Sequence, residues 1–303
     1  MAGQLYVFPL CYKSRMRTML SGLFLLLFCS SQSILAELNP SWTTAIVPFR
    51  ITDNLYYVGS EHLASYLVVT PKGNILINAN LDSSPPQIRA SVEKLGFHWG
   101  DTRILLNSQA HYDHTAGAAE VVRETHAKNM VMDGDVSVVE TGALTDFLSP
   151  SPNIHPYAPV PEDRVLHDGD SVTLGDVTLT AHKTAGHTKG TTTWTLNETD
   201  HGKTLHVVIV GSPNVNPGYK LVGNKTYSQI ADDYRHGFQV LQSLPCDIFL
   251  GAHGGYFGMK AKYERWKGGN HDAFIDPEGY KHYIADREQA FEAEFKKQLS
   301  PRH

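Results

Sequence analysis

The residues best equipped for chemistry stand in one short run, Gln109-Ala110-His111-Tyr112-Asp113-His114, directly after the apolar segment Ile104-Leu105-Leu106. That run brings two imidazoles, a carboxylate and an amide close together along the chain. Two more histidines lie far downstream in glycine-rich settings, Gly186-His187-Thr188 and Ala252-His253-Gly254-Gly255. Imidazole and carboxylate without thiolate suit zinc, iron or manganese rather than copper(I) or an iron–sulfur cluster.

Most histidines are ordinary, and the chain has 16. His62, His98, His126, His155, His167, His201 and His271 sit among polar or turn residues and read as surface or hydrogen-bonding residues. His182, His206 and His236 adjoin apolar segments and read as core or boundary residues. The His111-Tyr112-Asp113-His114 cluster is different. Burying three titratable side chains without a counterion costs too much for packing alone, and a metal ion removes that cost. Three loops, each after a strand-like segment and each offering histidine, read as one binuclear metal centre if they converge.

The elements that must position them alternate between strand and helix. Leu55-Tyr56-Tyr57-Val58 and Tyr66-Leu67-Val68-Val69 read as strands, and Pro71-Lys72-Gly73-Asn74 turns the second into Ile75-Leu76-Ile77. Ser84-Pro85 has the form of a cap followed by proline at the first helical position, with the helix closing near Leu95-Gly96. A helix over 116–126 and a strand at Met130-Val131-Met132 follow the first metal loop. Five prolines, Pro150, Pro152, Pro156, Pro159 and Pro161, make 149–163 an extended surface connection. The second half repeats the logic, with a hairpin about Gly175-Asp176, strands over 191–196 and 206–210, a helix over 227–244, a strand at 247–250 and a polar helix over 277–299. The expected fold class is α/β, a single-domain four-layer α/β/β/α sandwich with ligands in loops at strand ends.

Composition narrows the function classes. With 303 residues and 41% hydrophobic content the chain can bury a large core. Its net charge is −5 and no basic block occurs, so nucleic-acid binding has no electrostatic footing. The start reads as a secretory signal peptide over 1–36, with residues 1–15 as an upstream extension. Lys13, Arg15 and Arg17 precede the run Leu23-Phe24-Leu25-Leu26-Leu27-Phe28, which is too short to span a bilayer, and small residues follow. Losing those three basic residues and no acidic one takes −5 to −8 for the mature chain, 37–303. The expected location is periplasmic or secreted. Cys11 and Cys29 fall in or before the leader, so Cys246 has no internal disulfide partner and reads as a small buried hydrophobe.

His-x-Asp-His after a buried strand, Gly-His-Thr downstream and a last histidine after a C-terminal strand together resemble the metallo-β-lactamase-fold hydrolases. The resemblance runs over about 37–300 and is strongest to subclass B3. No cysteine stands where subclasses B1 and B2 carry a thiolate ligand. Val210-Gly211-Ser212-Pro213-Asn214 carries serine where many fold members place a bridging aspartate. The resemblance implies two zinc ions, one held by Gln109, His111 and His187, the other by Asp113, His114 and His253. Gln109 replaces the more usual histidine, and an amide oxygen is the weaker zinc ligand. It further implies β-lactam hydrolysis by a zinc-activated water, with Asp113 also orienting that water and Ser212 and Asn214 meeting the substrate. Tyr219, Leu81 and Phe147 are expected near the cleft, with Tyr112 in packing. The expected partner is a small β-lactam, the mature chain has no membrane span, and a monomer is the expectation. Two other classes fit the residues. A lactonase or thioester hydrolase on the same fold is opposed by Ser212, and a non-catalytic zinc-binding protein is indicated only by Gln109.

Overall fold

Apolar residues on both faces explain why the central strands read as unbroken hydrophobic runs. The computed structural model describes residues 39–151, 154–200 and 202–300, so the expected leader lies outside the described residues. Strands β1 (Phe49–Arg50), β2 (Leu55–Tyr57), β3 (Tyr66–Thr70), β4 (Gly73–Ile77), β5 (Thr102–Leu106), β6 (Lys128–Met132) and β7 (Arg164–Leu166) form a seven-stranded sheet in chain order. It is antiparallel through β4 and parallel from β4 to β7. Strands β8 (Ser171–Leu174), β9 (Val177–Lys183), β10 (Thr192–Asp200), β11 (Lys203–Val210) and β12 (Ile248–Gly251) form the second sheet, in the order β12-β11-β10-β9-β8. Only β11 and β12 pair in parallel there.

Side chains alternate across each strand and so build two cores. Tyr66, Val68, Ile75, Ile77 and Leu106 join Leu179, Ala181 and Trp194 between the sheets. Their neighbours Leu67, Leu76, Leu105 and Val131 face the other way, onto helices α1 (Pro85–Lys94), α3 (Ala118–Thr125) and α4 (Val136–Glu140), which follow or flank the single-turn α2 (Tyr112–Thr115). Beyond the second sheet lie α5 (Ile230–Ser243), α6 (Met259–Lys267) and α7 (Pro277–Leu299). Phe238 of α5 meets Phe291 of α7 at 5.8 Å, and Tyr280 of α7 meets Phe249 of β12 at 5.4 Å. The layers are helix, sheet, sheet, helix, as the sequence pattern implied.

Details differ from that pattern for local reasons. The helix expected from 227 begins at Ile230, because Asn224 Oδ1 accepts the Thr226 and Tyr227 N–H groups in a preceding turn. His126 closes α3 in a left-handed conformation, φ 58°. Ser84 makes no side-chain capping bond to α1. His206 and His236 are exposed rather than core or boundary residues, since each falls on the outward side of its element. Cys246 is half-buried rather than buried. The 149–163 segment does more than cross the surface. Val160 is buried, and the Tyr157 hydroxyl donates to Ala110 O at 2.6 Å, because the segment packs over the first metal loop.

Gly117 marks the tightest approach beside that loop. A Cβ there would lie 2.5 Å from Ala79 O and 2.8 Å from Leu81 O, both backbone atoms. Gly117→Ala is expected to lower stability by about 1–3 kcal/mol through overpacking. Thermal unfolding followed by circular dichroism reads this out, and an unchanged midpoint would contradict the packing described.

Candidate metal centre

The first loop leaves the C-terminal end of β5 and is fixed before any ligand appears. Trp194 Nε1–H donates to Asn107 O at 2.9 Å, Ser108 N–H donates to Asn78 Oδ1 at 2.8 Å, and Thr192 N–H donates to Ser108 O at 2.8 Å. These bonds tie the strand end to both sheets. Gln109 Oε1 then accepts the His111 N–H at 3.1 Å, and Gln109 O accepts the Thr115 hydroxyl at 2.8 Å. Together they shape the single turn α2, which carries Asp113 and His114 inward.

His187 comes from the loop after β9. Gly186 there has φ 134°, and a Cβ on it would lie 2.6 Å from the Tyr234 ring, so glycine is required on both counts. His253 follows β12, where Ala64 N–H donates to Ala252 O at 3.0 Å and Gly254 N–H to His62 O at 2.7 Å. His62 itself is half-buried, its ring centroid 5.1 Å from that of His253, and is not the surface residue that the sequence implied. The first and second loops meet through Asp135. Its Oδ2 accepts the Ala110 N–H at 2.9 Å and the Thr188 hydroxyl at 2.8 Å, and its Oδ1 accepts the Gly190 N–H at 2.8 Å. Burial pushes this carboxyl up to about 6, against the pull of those donors.

The loops converge. His111 Nδ1 lies 3.2 Å from His187 Nε2, and His114 Nε2 lies 3.1 Å from His253 Nε2. Asp113 Oδ2 lies 3.3 Å from His114 Nε2 and 3.4 Å from His253 Nε2. Burial drives the His187 imidazole down to about 3, and the neighbouring His111 adds to the shift; burial lowers His253 too. Both present neutral lone pairs at neutral pH. Burial alone would raise the Asp113 carboxyl, but His114 and His253 outweigh it and hold the group well below the carboxylate range. The Nδ1 atoms of His114 and His253 are buried without a hydrogen-bond partner. Facing nitrogen lone pairs beside an anionic oxygen, all buried, fit a divalent cation of the zinc type and are costly without one.

Outer groups aim these ligands. The His187 Nδ1 nitrogen faces Asn214 O at 2.8 Å, which leaves Nε2 for a metal. His111 Nε2 lies 3.5 Å from Asp146 Oδ2, itself held by the Leu148 N–H at 2.8 Å from Oδ1. Burial lowers His111, but the Asp146 contact and charge outweigh it and leave it raised. Asp135 and Asp146 carry no motif, and only the folded chain brings them to the loops. Gln109 is buried within the turn, its amide oxygen on the His111 N–H. Ser212 is buried, with its hydroxyl 3.0 Å from Tyr256 Oη. Asn214 contributes its carbonyl, which also accepts the Tyr234 hydroxyl at 2.7 Å. Neither Ser212 nor Asn214 lines the cleft.

That cleft, of about 370 Å³, opens over the metal ligands and is walled by Trp42, Tyr112, His155, Tyr219 and Tyr256. Tyr219 is where the sequence reading put it. Of the residues near Phe147, Leu148 lines the cleft while Phe147 itself packs behind Tyr219 with ring centroids 5.3 Å apart, and Leu81 is buried away from it. His155 is exposed, as its sequence setting implied, and also borders the cleft, its ring tilted against Tyr112 with centroids 4.3 Å apart.

The sequence matches the metallo-beta-lactamase superfamily over residues 62–200. It is 51% identical to the native FEZ-1 metallo-beta-lactamase from Legionella gormanii, covering 85% of this chain and 98% of that one with a TM-score of 0.84. The chain belongs to the metallo-β-lactamase superfamily. This metallo-β-lactamase is also similar to BJP-1, a subclass B3 enzyme of Bradyrhizobium japonicum, at 36% identity, 85% and 97% coverage and a TM-score of 0.80. The class B3 di-zinc metallo-beta-lactamase LRA-12 from an Alaskan soil metagenome is 35% identical, with 84% and 96% coverage and a TM-score of 0.80.

Asp146→Asn keeps the shape beside His111 but removes the charge that fixes its proton on Nε2. Zinc affinity of this metallo-β-lactamase is expected to fall roughly 10–100-fold with little change in melting temperature. Competition with a chromophoric chelator measures it, and unaltered affinity would remove Asp146 from the account.

Proposed function

We propose that this protein is an exported zinc hydrolase that opens the amide bond of β-lactams. The convergence of His111, His114, His187, His253 and Asp113 under one cleft carries the reading, in a chain 51% identical to a metallo-beta-lactamase. His111 and His187, with the Gln109 amide oxygen, would hold one zinc; Asp113, His114 and His253 would hold the other. The similarity to LRA-12, a di-zinc enzyme, supports two ions. Bound there, zinc supplies Lewis-acid polarisation of the substrate carbonyl and brings a water's pKa toward neutrality.

The chain's own residues do the rest. Asp113, held anionic, is the one carboxylate within reach of both His114 and His253, and it would orient the attacking water by accepting a hydrogen bond from it. His111 and His187 keep their orientation through Asp146 and Asn214 O, so they need no reorganisation when substrate arrives. The aromatic wall of Trp42, Tyr112 and Tyr219 excludes water from the scissile bond. Ser212 acts through Tyr256, and Asn214 through His187. No serine nucleophile enters the scheme. A Ser-x-x-Lys spacing does occur, Ser91-Val92-Glu93-Lys94, but it lies on α1 and lines no part of the cleft. Residues 1–36 are the proposed export leader of the domain 37–303, which acts as a monomer. Among the described residues no helix is long and apolar enough to cross a membrane.

Hydrolysis of a penicillin and a carbapenem is expected to vanish after chelation, return with added zinc and resist serine-directed inhibitors. Full turnover by metal-free protein would overturn the assignment. The two loop positions should also separate. Asp113→Ala removes the charged ligand and the group that orients the water, and kcat/KM should fall by about a hundredfold or more. Gln109→Ala removes one neutral oxygen, with a loss of about tenfold that added zinc partly restores. Equal losses in steady-state assays, with equal zinc content, would contradict this division of labour.

A further inference from the structure

A second pocket, of about 480 Å³, lies on the far side of the loop that closes the cleft. Asn216 and Pro217 line both spaces, so the 214–218 backbone is the partition between them. The pocket's deep wall is Arg287 of α7. This arginine forms no ion pair among the described residues. Its Nη1 reaches the Asn214 Oδ1 at a long 3.4 Å, its guanidinium stands 5.8 Å from the Tyr283 ring centroid, and its Nε is buried with no hydrogen-bond partner. The Tyr283 hydroxyl, near the Asn214 amide, is a second buried polar atom that closes no hydrogen bond of good geometry. Those two atoms are closed off from the cavity, but Arg287 itself borders it without an ion pair, and a guanidinium so placed can take an anionic partner there.

We propose that this pocket is a carboxylate-binding site built on Arg287. The other charges there are already matched. Glu294 accepts from Lys297 Nζ and from Gln298 Nε2, both at 2.9 Å, so the guanidinium is the uncompensated charge. One free positive charge suits a monoanion better than a dianionic phosphate. The planar guanidinium fork matches the two oxygens of a carboxylate. The volume suits a small ring-bearing acid. An occupant would also touch function, since Asn214, which meets Arg287 through its side chain, holds His187 Nδ1 through its carbonyl.

The test titrates zinc-loaded protein with benzoate, and with benzamide as its uncharged counterpart, by calorimetry. Arg287→Met keeps the aliphatic stem over Tyr283 and removes the charge; Arg287→Lys keeps the charge without the fork and covers the case in which methionine unsettles α7. The wild type is expected to bind benzoate saturably and benzamide not at all, with affinity roughly tenfold lower in both variants. Benzoate affinity unchanged in the variants would place the anion on the metal centre and overturn the proposal, as would no binding to the wild type. A second arm rests on the β-lactam reading and separates two sources of the carboxylate. Competitive inhibition by benzoate, with Arg287→Lys raising KM for a penicillin but not for its methyl ester, assigns the site to the substrate's own carboxylate. Non-competitive inhibition assigns it to a separate acid. The calorimetric arm reads heat alone, so it stands or fails whether or not β-lactams are hydrolysed.

Discussion

One buried carboxylate holds the architecture of the site together. Asp135 stands just beyond β6 in the first sheet, yet its three hydrogen bonds reach Ala110 in the first metal loop and Thr188 and Gly190 beside His187. It joins the two loops through contacts that are separate from the ligand side chains. The side chain is 1% exposed, so its donors have no water to turn to. The His111–His187 pair thus takes its spacing in part from a contact that neither ring makes. The bonds from Trp194 to Asn107 and from Tyr66 to Gly251 O, at 2.9 and 2.7 Å, extend the same logic across the two sheets.

The protonation pattern follows from that enforced proximity. Burial strips charge from His187 and His253, while Asp146 supports it on His111 and the imidazoles support it on Asp113. The centre is therefore asymmetric before any ion binds. Asp113 lies between His114 and His253, whereas His111 has Asp146 behind it and a glutamine whose oxygen serves the backbone of the turn. Metal affinity in such a site is a property of the whole fold, since the energy needed to crowd the ligands is supplied when the chain folds.

Much of this was legible in the sequence because both signals are local. Apolar runs bounded by turn residues made the strands at 66–69, 75–77 and 104–106 readable, one or two residues short of their ends, and α7 was placed at Pro277–Leu299 from its long polar run. His111, Asp113 and His114 announce themselves by spacing. Asp135 and Asp146 do not, since an isolated aspartate in a helix-rich stretch looks solvated until the fold closes over it. That His155 borders the cleft and His62 lies beside His253 was not legible for the same reason, because polar neighbours in sequence do not report what packs on them from afar. Ser212 and Asn214 were placed in the right loop, but that loop turns their side chains away from the cleft.

The irregular segment that carries Ile154 and His155 over the first loop forms one wall of the cleft and belongs to no sheet. It is anchored by a side-chain bond from Tyr157 to the backbone of Ala110, a contact indifferent to which residue occupies that backbone position. Its other residues answer to no strand register and to no metal ligand. Substitutions there can reshape what enters the cleft while the hydrolytic apparatus stays as it is. The protein thereby separates a stretch that shapes the entrance of the cleft from the loops that hold the metal-ligating side chains.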